Sequence, residues 1–340
     1  MQKRLGVLSL KAAINGFGRI GRLVLRCGIT EKGIDWVVNH PQGIDSALHL
    51  FKYDSIYGKW QGKVEKDGDS LVVDGKKIKV LSMRVKPEQL PWKSLGVDYV
   101  VESTGLFRGK DDAGGHIKAG ARKVIISAPA KGEIESFVLG VNTAGGKLDK
   151  SADVIDNASC TTNCLMPVLK VLQDSFGIKR GFMTTIHAYT HDQNLVDATH
   201  DDLRRARAAA LNIVPTKTGA SEAAAKVLPA LKGKIDGKAI RVPVAVGSLI
   251  DVTAELEKAT TPEEINAAMK KESEGSLRGI LEYTDEPIVS TDIIGNRASS
   301  IFDSKMTKVI GGNLVQVVSW YDNEMGYSQR IVDILKQLKA

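Results

Sequence analysis

The chain of 340 residues contains only three cysteines and no long apolar run. Cys27, Cys160 and Cys164 are an odd set without a framework of pairs, so we expect a reducing compartment, by default the cytoplasm. No stretch approaches the roughly 20 apolar residues of a membrane helix, and residues 1–10 turn apolar too briefly to predict a signal peptide. We therefore expect a soluble protein that has no membrane partner.

Aromatic residues are also scarce, at 5% of the chain, whereas glycine is frequent, with 33 residues. This composition is typical of an α/β protein with many tight turns between strands and helices. The net charge of +7 comes from basic residues that are interspersed with 40 acidic ones. Because there is no long basic block, nucleic-acid binding is not expected as the main role, although a second activity in binding RNA or another anion stays open.

The seven residues 158–164, Ala-Ser-Cys-Thr-Thr-Asn-Cys, lie between a predicted strand over 153–157 and an apolar, helix-forming run over 165–176. Cys160 would then lie near the unpaired backbone N–H groups of a helix start, which favour an anion. At such a position the pKa of a thiol can fall to roughly 3.5–7.5. Most cysteines are small buried apolar residues instead, but downstream residues fit the same chemistry, and we predict that Cys160 is a catalytic nucleophile.

A β-branched run over 181–190 predicts a strand that carries His187 toward the cysteine. An imidazole with a pKa of about 6.5 can accept a proton from a thiol and return it, so His187 is the predicted general base. Histidines in strands are more often satisfied core residues. The sequence alone does not bring His187 and Cys160 together.

Three further segments of the second half bear on anion binding. Residues 191–215 are polar and charged and predict a long structured loop. Residues 216–220 predict a hydroxyl-rich turn that leads into a helix over 221–231 and suits an anion. Arg241 precedes a long apolar strand that is predicted to reach Leu256, and its guanidinium could bind a phosphate or carboxylate through two hydrogen bonds.

The first half predicts a dinucleotide-binding fold. A buried strand over 8–14 is followed by residues 15–22 with G-x-G-x-x-G spacing, and a helical pattern continues beyond them. Gly16 would permit the tight turn, Gly18 the close approach of a pyrophosphate, and Gly21 the packing of helix on strand. Further strands are predicted at 36–38, 78–81, 99–102 and 123–127, with hairpin turns at 67–68 and 74–75.

The position that would read the adenine ribose has no acidic residue. NAD-binding folds of this type carry Asp or Glu at the end of the second strand, whereas this chain has Asn39, His40 and Pro41 there. Without a carboxylate a 2′-phosphate is not repelled, and Asn39 can still bond a ribose hydroxyl. We therefore expect NADP, NAD or both as the cofactor.

The second half has a different pattern from the first. Residues 261–264 predict a capped helix start, residues 309–315 a hairpin, and residues 317–320 the continuation of a strand. A length of 340 residues also favours two domains. The predicted fold class is α/β, with a Rossmann-type doubly wound parallel sheet and a second, α+β catalytic domain that has a mostly antiparallel sheet.

Six motifs resemble those of the phosphorylating glyceraldehyde-3-phosphate dehydrogenase family over nearly the whole chain. They are INGFGRIGR at 14–22, VVESTGLF at 100–107, ISAPAKGE at 126–133, SCTTNC at 159–164, DLRRARAAALNIVPT at 202–216 and WYDNEMGYS at 320–328. The resemblance implies a dinucleotide-binding domain over 1–159 and 323–340, a catalytic domain over 160–322, and a homotetramer.

The resemblance also implies an activity and its site. The reaction would be the reversible oxidation of glyceraldehyde 3-phosphate with NAD(P) and inorganic phosphate to 1,3-bisphosphoglycerate. It would proceed through a cysteine thioester, without a metal, and would serve glycolysis or gluconeogenesis.

Cys160 matches the nucleophile of the family, His187 the base, and Cys164 a cysteine that has no catalytic task. The substrate's own phosphate would meet Thr190 and Arg241, and the attacking phosphate would meet Ser159, Thr161, Thr218 and Gly219. The predicted cofactor site comprises Gly16, Phe17, Gly18, Arg19, Ile20, Asn39, Arg84, Ser127, Thr199 and Asn323, the last of which would orient the nicotinamide carboxamide.

Departures from the family pattern bear on the cofactor. Ala198 and Thr199 stand where NAD-dependent relatives tend to have Leu-Pro, and NADP-using photosynthetic relatives are similar here. NADP use, alone or beside NAD, is therefore favoured, with Thr199 of a neighbouring subunit and Arg84 near the 2′-phosphate. The nearest alternative activity is erythrose-4-phosphate dehydrogenase, which would share Cys160 and His187 but hydrolyse its thioester.

Overall fold

The computed structural model of the chain describes residues 9–143 and 151–339. Residues 1–8 lie outside the described part, and with them most of the segment considered as a signal peptide and the start of the first predicted strand. Residues 144–150 also lie outside it. The described residues form two compact units: residues 9–137, 151–157 and 328–339 make up the first, and residues 138–143 and 158–327 make up the second.

The first unit is built on a nine-stranded, mostly parallel sheet. Its strands are β1 (Leu10–Asn15), β2 (Ile34–Asn39), β3 (Val64–Asp67), β4 (Ser70–Val73), β5 (Lys76–Leu81), β6 (Tyr99–Glu102), β7 (Lys123–Ile126), β8 (Glu135–Ser136) and β9 (Val154–Asp156). They lie in the order β3-β4-β5-β2-β1-β6-β7-β9-β8, and only the pairs β3–β4 and β4–β5 are antiparallel. The predicted parallel sheet and both predicted hairpin turns are confirmed.

The second unit is built on a seven-stranded, mostly antiparallel sheet. Its strands are β10 (Ile178–Ala188), β11 (Val214–Thr216), β12 (Ile235–Val242), β13 (Ser248–Leu256), β14 (Leu281–Thr284), β15 (Ser300–Ile310) and β16 (Leu314–Tyr321). They lie in the order β11-β12-β10-β13-β16-β15-β14, with parallel pairing only at β10–β12 and β14–β15. The predicted fold class and the hairpin between β15 and β16 are confirmed.

The helices of the described residues are α1 (Arg19–Gly28), α2 (Gly43–Lys52), α3 (Trp92–Leu95), α4 (Lys110–Lys118), α5 (Cys160–Phe176), α6 (Ala220–Val227), α7 (Pro262–Glu274) and α8 (Met325–Lys339). Short 3-10 turns cover Pro87–Gln89, Ala209–Leu211 and Pro229–Leu231. Within residues 9–143 and 151–339, no helix is both long and apolar enough to cross a bilayer.

Apolar periodicity and capping explain where the helices of the second unit begin and how they pack. Leu165 and Leu169 of α5 share a buried core with Ile250 and Val252 of β13, which fixes the helix on the sheet. At α7 the predicted cap is confirmed: Thr261 Oγ1 accepts a hydrogen bond from the N–H of Glu264 at 3.3 Å, and the Glu264 carboxylate accepts one from the N–H of Thr261 at 3.0 Å.

Two predicted elements are shorter in the structure, and proline is the reason in both. The helix predicted over 221–231 ends at Val227, because Pro229 disfavours the helical region for Leu228, whose φ and ψ are −131° and 88°. The single strand predicted to follow Arg241 and to reach Leu256 is interrupted, and β12 and β13 are separate strands. Pro243 has no N–H for a sheet, and β12 ends one residue before it.

Glycine at position 21 allows α1 to lie close to the turn that precedes it. A Cβ built on Gly21 would be 2.1 Å from the carbonyl oxygen of Gly16, which is too close for any residue with a side chain to fit at position 21. Gly114, in the interior of α4, offers a contrast, since a Cβ there would meet nothing within 4 Å.

These two helical glycines predict opposite effects of the same substitution. Gly21→Ala should destabilise the chain by about 1–3 kcal/mol, because the methyl group displaces the turn. Gly114→Ala should instead stabilise it by up to about 1 kcal/mol through helix propensity alone. Thermal unfolding of both variants beside the native chain checks this, and a Gly21→Ala melting temperature at or above the native one would contradict the close packing.

Candidate active site

Cys160 is the first residue of α5, and its position is fixed by a helix cap. Ser159 precedes the helix with extended backbone, and its Oγ accepts a hydrogen bond from the N–H of Thr162 at 3.0 Å. Cys160 itself is half-buried, whereas Cys164, one turn later, has no exposed surface. The predicted helix start therefore leaves one thiol accessible to a reactant and buries the other.

His187 lies against this thiol. Its Nε2 is 3.4 Å from Cys160 Sγ, and its Nδ1 is 2.6 Å from the carbonyl oxygen of Ala188. A carbonyl oxygen can only accept a hydrogen bond, so Nδ1 carries the ring proton and Nε2 presents its lone pair to the sulfur. The structure thus brings together the two residues that the sequence could not connect, with the ring oriented to take the thiol proton.

Arg241 is placed beside His187 by sheet pairing. Strands β10 and β12 are parallel, with His187 opposite Arg241, so both side chains emerge near the carboxyl ends of their strands. The guanidinium Nη1 donates to the carbonyl oxygen of Ala188 and to Thr190 Oγ1, each at 3.1 Å. Arg241 Nε is buried and has no hydrogen-bond partner. A charged group with a free buried N–H is suited to an anionic ligand.

Burial is the largest influence on the pKa values of Cys160 and His187. It raises the pKa of the Cys160 thiol, while the Arg241 guanidinium and the backbone N–H of Thr161 act in the opposite direction. The expectation of a thiol pKa lowered by the helix terminus is therefore wrong, because desolvation outweighs the lowering contributions. Burial, together with the nearby Arg241 charge, lowers the pKa of His187 to about 3. The ligand-free pair thus holds its proton on sulfur, aimed at an uncharged imidazole.

Two further residues that contact the site were not predicted from the sequence. Tyr321, the last residue of β16, bonds Thr161 Oγ1 at 2.9 Å and Thr185 Oγ1 at 2.8 Å, and its ring lies edge-on to His187 at 5.8 Å. Since Thr185 donates to the carbonyl of Leu249, Tyr321 must donate to Thr185 and accept from Thr161. This chain of hydroxyl groups ties the strand that carries the base to the helix that carries the thiol.

Arg205 is the second unpredicted residue. It pairs with Asp192, its Nε donates to Thr216 Oγ1 at 2.9 Å, and its charge helps to lower the pKa of both His187 and Arg241. In the sequence it is one of several arginines in a charged loop, a pattern that is more typical of solvated surface. Nothing in that pattern distinguishes it from its neighbours.

The remaining substrate-site candidates lie at the starts of α5 and α6. Thr218 Oγ1 accepts from the N–H of Ala220 at 3.2 Å, and Gly219 precedes α6 without a side chain. A Cβ on Gly219 would meet nothing within 4 Å, so there is space at this helix start. Thr161 is buried, and its hydroxyl is engaged by Tyr321.

The glycine-rich turn of the first unit fits a pyrophosphate. Gly16 has φ of +97°, and a Cβ on it would lie 2.7 Å from the carbonyl carbon of Ser103, so no other residue fits there. Gly18, immediately before α1, faces open space. The first-turn N–H groups of α1 next to this opening suit a phosphate. Phe17 packs on Phe51 with ring centroids 6.4 Å apart, which buries the base of the turn.

The other cofactor candidates are placed as follows. Arg19 pairs with Asp54 at 2.8 Å, Ile20 is half-buried in α1, Arg84 is exposed, and the N–H of Ser127 donates to the carbonyl of Glu102 at 2.9 Å. In the second unit, Thr199 is exposed, and Asn323 Oδ1 accepts from the N–H of Gly247 and from Ser248 Oγ, at 3.1 and 3.0 Å.

Asn39 is engaged inside the first unit. Its Nδ2 donates to Asn15 Oδ1 at 2.9 Å and to the carbonyl of Met83 at 3.1 Å, while its Oδ1 accepts from the N–H of Met83. Both amide hydrogens are thus already used. The next residue, His40, contacts Ser46 Oγ through Nε2 at 3.1 Å, and burial together with Arg22 lowers its pKa.

Removing the Arg241 charge should change how Cys160 titrates. The guanidinium lowers the pKa of the thiol, so Arg241→Met should raise it and reduce the thiolate present at pH 7. The rate of alkylation of Cys160 by iodoacetamide, measured from pH 6 to 10, should shift to higher pH in the variant and fall several-fold at pH 7. Arg180→Met, on the same sheet but largely exposed, is the control. An unchanged profile, or a shift to lower pH, would contradict the assignment.

Comparison with known proteins agrees with this geometry. The sequence profile for the NAD binding domain of glyceraldehyde 3-phosphate dehydrogenase matches residues 10–110, and the profile for the C-terminal domain of the same enzyme matches residues 159–323. The second match contains Cys160, His187, Arg241 and Tyr321.

Curated relatives match the chain nearly from end to end. Glyceraldehyde-3-phosphate dehydrogenase of Geobacillus stearothermophilus is 54% identical over 96% of this chain and 97% of its own length. The enzyme of Mycobacterium avium is 56% identical over 96% and 98%, and glyceraldehyde-3-phosphate dehydrogenase 1 of Bacillus subtilis is 53% identical over 96% and 97%. The chain belongs to the glyceraldehyde-3-phosphate dehydrogenase family.

Proposed function

We propose that the chain is a phosphorylating glyceraldehyde-3-phosphate dehydrogenase. It oxidises glyceraldehyde 3-phosphate with a nicotinamide dinucleotide and inorganic phosphate to 1,3-bisphosphoglycerate, and the reaction is reversible. The observation that carries this proposal is the 3.4 Å approach of His187 Nε2 to Cys160 Sγ, with the free Nε of Arg241 in the same group of side chains. A nucleophile, a base and an anion binder in one place suit a phosphorylated aldehyde.

The first half of the reaction uses the thiol and the imidazole. As Cys160 Sγ forms a bond to the aldehyde carbon, its proton passes to His187 Nε2 and from there to the aldehyde oxygen, so a thiohemiacetal results and the imidazole is again uncharged. The hydrogen bond from Nδ1 to the Ala188 carbonyl keeps Nε2 as the acceptor throughout. Loss of hydride from the thiohemiacetal carbon leaves a thioester on Cys160, and His187 takes the hydroxyl proton in that step.

The second half of the reaction uses two anion sites. Thr190 and Arg241 hold the phosphate of the substrate, which fixes the acyl carbon next to the sulfur. Ser159, Thr161, Thr218 and Gly219 hold inorganic phosphate, whose oxygen attacks the thioester carbon, and the Cys160 sulfur leaves to give the acyl phosphate. Holding the two reactants together lowers the barrier for phosphate relative to water.

The cofactor is held by residues of the glycine-rich turn and by candidates elsewhere in the chain. Gly16, Phe17, Gly18, Arg19 and Ile20 form the pyrophosphate site, with Asn39, Arg84, Ser127, Thr199 and Asn323 completing the set. The bound nicotinamide supplies the hydride acceptor. Since no carboxylate follows β2, NADP is accepted alone or beside NAD, and a strong NAD preference in kcat/KM would contradict this part of the proposal.

The larger organisation follows from the same assignment. The dinucleotide-binding domain comprises residues 1–159 and 323–340 and the catalytic domain residues 160–322, in a cytoplasmic homotetramer that serves glycolysis or gluconeogenesis. Self-association is supported by apolar side chains of the 191–215 loop that are more than four-fifths exposed, Leu195, Leu203 and Leu211. Thr199 lies in this loop, so it could reach the cofactor of a neighbouring subunit.

Phosphate dependence tests the proposal and separates it from an erythrose-4-phosphate dehydrogenase. Steady-state turnover of glyceraldehyde 3-phosphate should depend saturably on inorganic phosphate and fall at least about ten-fold without it, since positioned phosphate replaces water as the attacking group. Thr218→Val should raise KM for phosphate more than KM for the triose phosphate, and Thr190→Val should do the reverse. Equal turnover with and without phosphate would identify a hydrolytic enzyme instead.

A further inference from the structure

Glu102, the last residue of β6, is a buried acid in the first unit, 2% exposed. Four hydrogen-bond donors meet its two oxygens. Oε1 accepts from the N–H of Thr104 at 2.8 Å and from the Thr104 hydroxyl, while Oε2 accepts from Asn15 Nδ2 at 2.6 Å and from His116 Nε2 at 3.0 Å. Because all four partners donate, the group acts as a carboxylate whose acceptor positions are filled.

The direction of the hydrogen bond between His116 and Glu102 is set by Trp92. The indole N–H of Trp92 donates to His116 Nδ1 at 2.8 Å, so Nδ1 is the acceptor and Nε2 carries the proton that goes to Glu102. Trp92 and His116 have no exposed surface. Trp92 in α3 therefore fixes the tautomer of His116 in α4, and His116 in turn donates a hydrogen bond to the Glu102 carboxylate.

On the other side, the network runs along the carboxyl ends of three adjacent parallel strands. Asn15 ends β1, Asn39 ends β2 and Glu102 ends β6, and their side chains are bonded in series. Asn39 continues the series to both backbone groups of Met83, beyond the end of β5. One carboxylate thus fixes the spacing of the strand ends at the edge where dinucleotides bind in such folds.

The same carboxylate also fixes the backbone against which the glycine-rich turn rests. Gly16 approaches the Ser103–Thr104 peptide so closely that a Cβ would lie 2.7 Å from it. Ser103 Oγ donates to the carbonyl of Gly16 at 2.6 Å, and the N–H of Gly16 donates to the carbonyl of Asn39 at 3.1 Å. Thr104 itself is held by both of its donors on Glu102 Oε1. A shift of Thr104 would therefore displace the turn.

We propose that Glu102 is a positioning residue for the dinucleotide: it sets the glycine-rich turn through Thr104 and the strand ends through Asn15. This inference rests on the proposed function, since it assigns how that cofactor site is held in shape. Glu102 acts through other residues, because its two oxygens are already occupied by Thr104, Asn15 and His116.

Glu102→Gln tests the proposal with nearly unchanged side-chain volume. Whichever way the amide is turned, its nitrogen faces a donor that cannot accept, so either the bond from the Thr104 N–H or the bonds from Asn15 and His116 are lost. Calorimetric titration with NAD should show at least a ten-fold higher Kd than in the native chain. The kcat at saturating NAD should stay within about three-fold, because the thiol and base lie in the other unit.

A double variant supplies the rescue. In N15D/E102Q, the amide nitrogen introduced at position 102 can donate to the carboxylate introduced at position 15, while the amide oxygen still accepts from Thr104 and Asn39 Nδ2 still has an acceptor. The N–H of His116 loses its acceptor, which is the loss of one outer contact that the Thr104 and Asn15 bonds do not depend on. Affinity for NAD should return to within about three-fold of the native value. If E102Q alone does not fold, recovery of folding and of NAD binding in the double variant carries the test.

Trp92→Phe is the control for stability alone. It removes the hydrogen bond to His116 and some packing, so the melting temperature should fall. It leaves the Thr104 and Asn15 contacts in place, so the Kd for NAD should change less than about two-fold.

The proposal is overturned if a folded E102Q variant binds NAD as the native chain does, if N15D/E102Q gives no recovery, or if W92F weakens binding as much as E102Q. Native protein that binds neither NAD nor NADP would overturn the proposed function as well, whereas native binding with unchanged E102Q affinity would overturn this proposal only.

Discussion

The proposed chemistry of this chain depends on one contact, between the sulfur of Cys160 and the unprotonated ring nitrogen of His187, 3.4 Å apart. Burial raises the pKa of the thiol and lowers the pKa of the imidazole, so the thiol proton has an uncharged acceptor beside it. The nucleophile is formed when the proton moves, which couples its appearance to the arrival of an aldehyde carbon. A partly exposed thiol that was ionised at all times would be open to adventitious oxidation and alkylation.

Holding that contact requires elements that are distant in sequence. The capped start of α5 supplies the sulfur, β10 the imidazole and β12 the guanidinium, and the parallel pairing of β10 and β12 sets His187 beside Arg241. Tyr321 bonds a threonine on each of the first two elements. In the first unit, Glu102 ties together strand ends in a comparable way. In each unit a buried polar side chain thus fixes residues at the edge of a sheet where the proposed ligands bind. Hydrogen bonds suit this role because they are directional, although the net stability that each contributes is small.

How much of this could be predicted from the sequence depends on how local the information is. The G-x-G-x-x-G turn, the helix start at Cys160 and the cap at Thr261 are signalled by neighbouring residues, and the structure contains all three. Strand periodicity was sufficient for the fold class. Prolines at 229 and 243 shorten two predicted elements, because the missing N–H and the restriction on the preceding residue outweigh a continuous apolar pattern.

The rest depends on contacts across long stretches of chain. Tyr321 is 160 residues from Thr161, and only the sheet register brings it to the thiol-bearing helix. Arg205 resembles its neighbours in a charged loop until its position relative to His187 and Arg241 is known. The thiol pKa was predicted in the wrong direction, because a helix terminus can be recognised in the sequence whereas the extent of burial cannot. Each of these features is a property of the assembled site.

The most direct test of the central claim is the rate of the first turnover, measured by stopped-flow detection of reduced nicotinamide with native chain and with His187→Asn, each at saturating triose phosphate. Loss of the base should slow this burst by about 10²–10⁴-fold, and mass spectrometry should find the acyl group of the native reaction on Cys160. A burst in His187→Asn within a few-fold of the native rate, or an acyl group on another residue, would contradict the account.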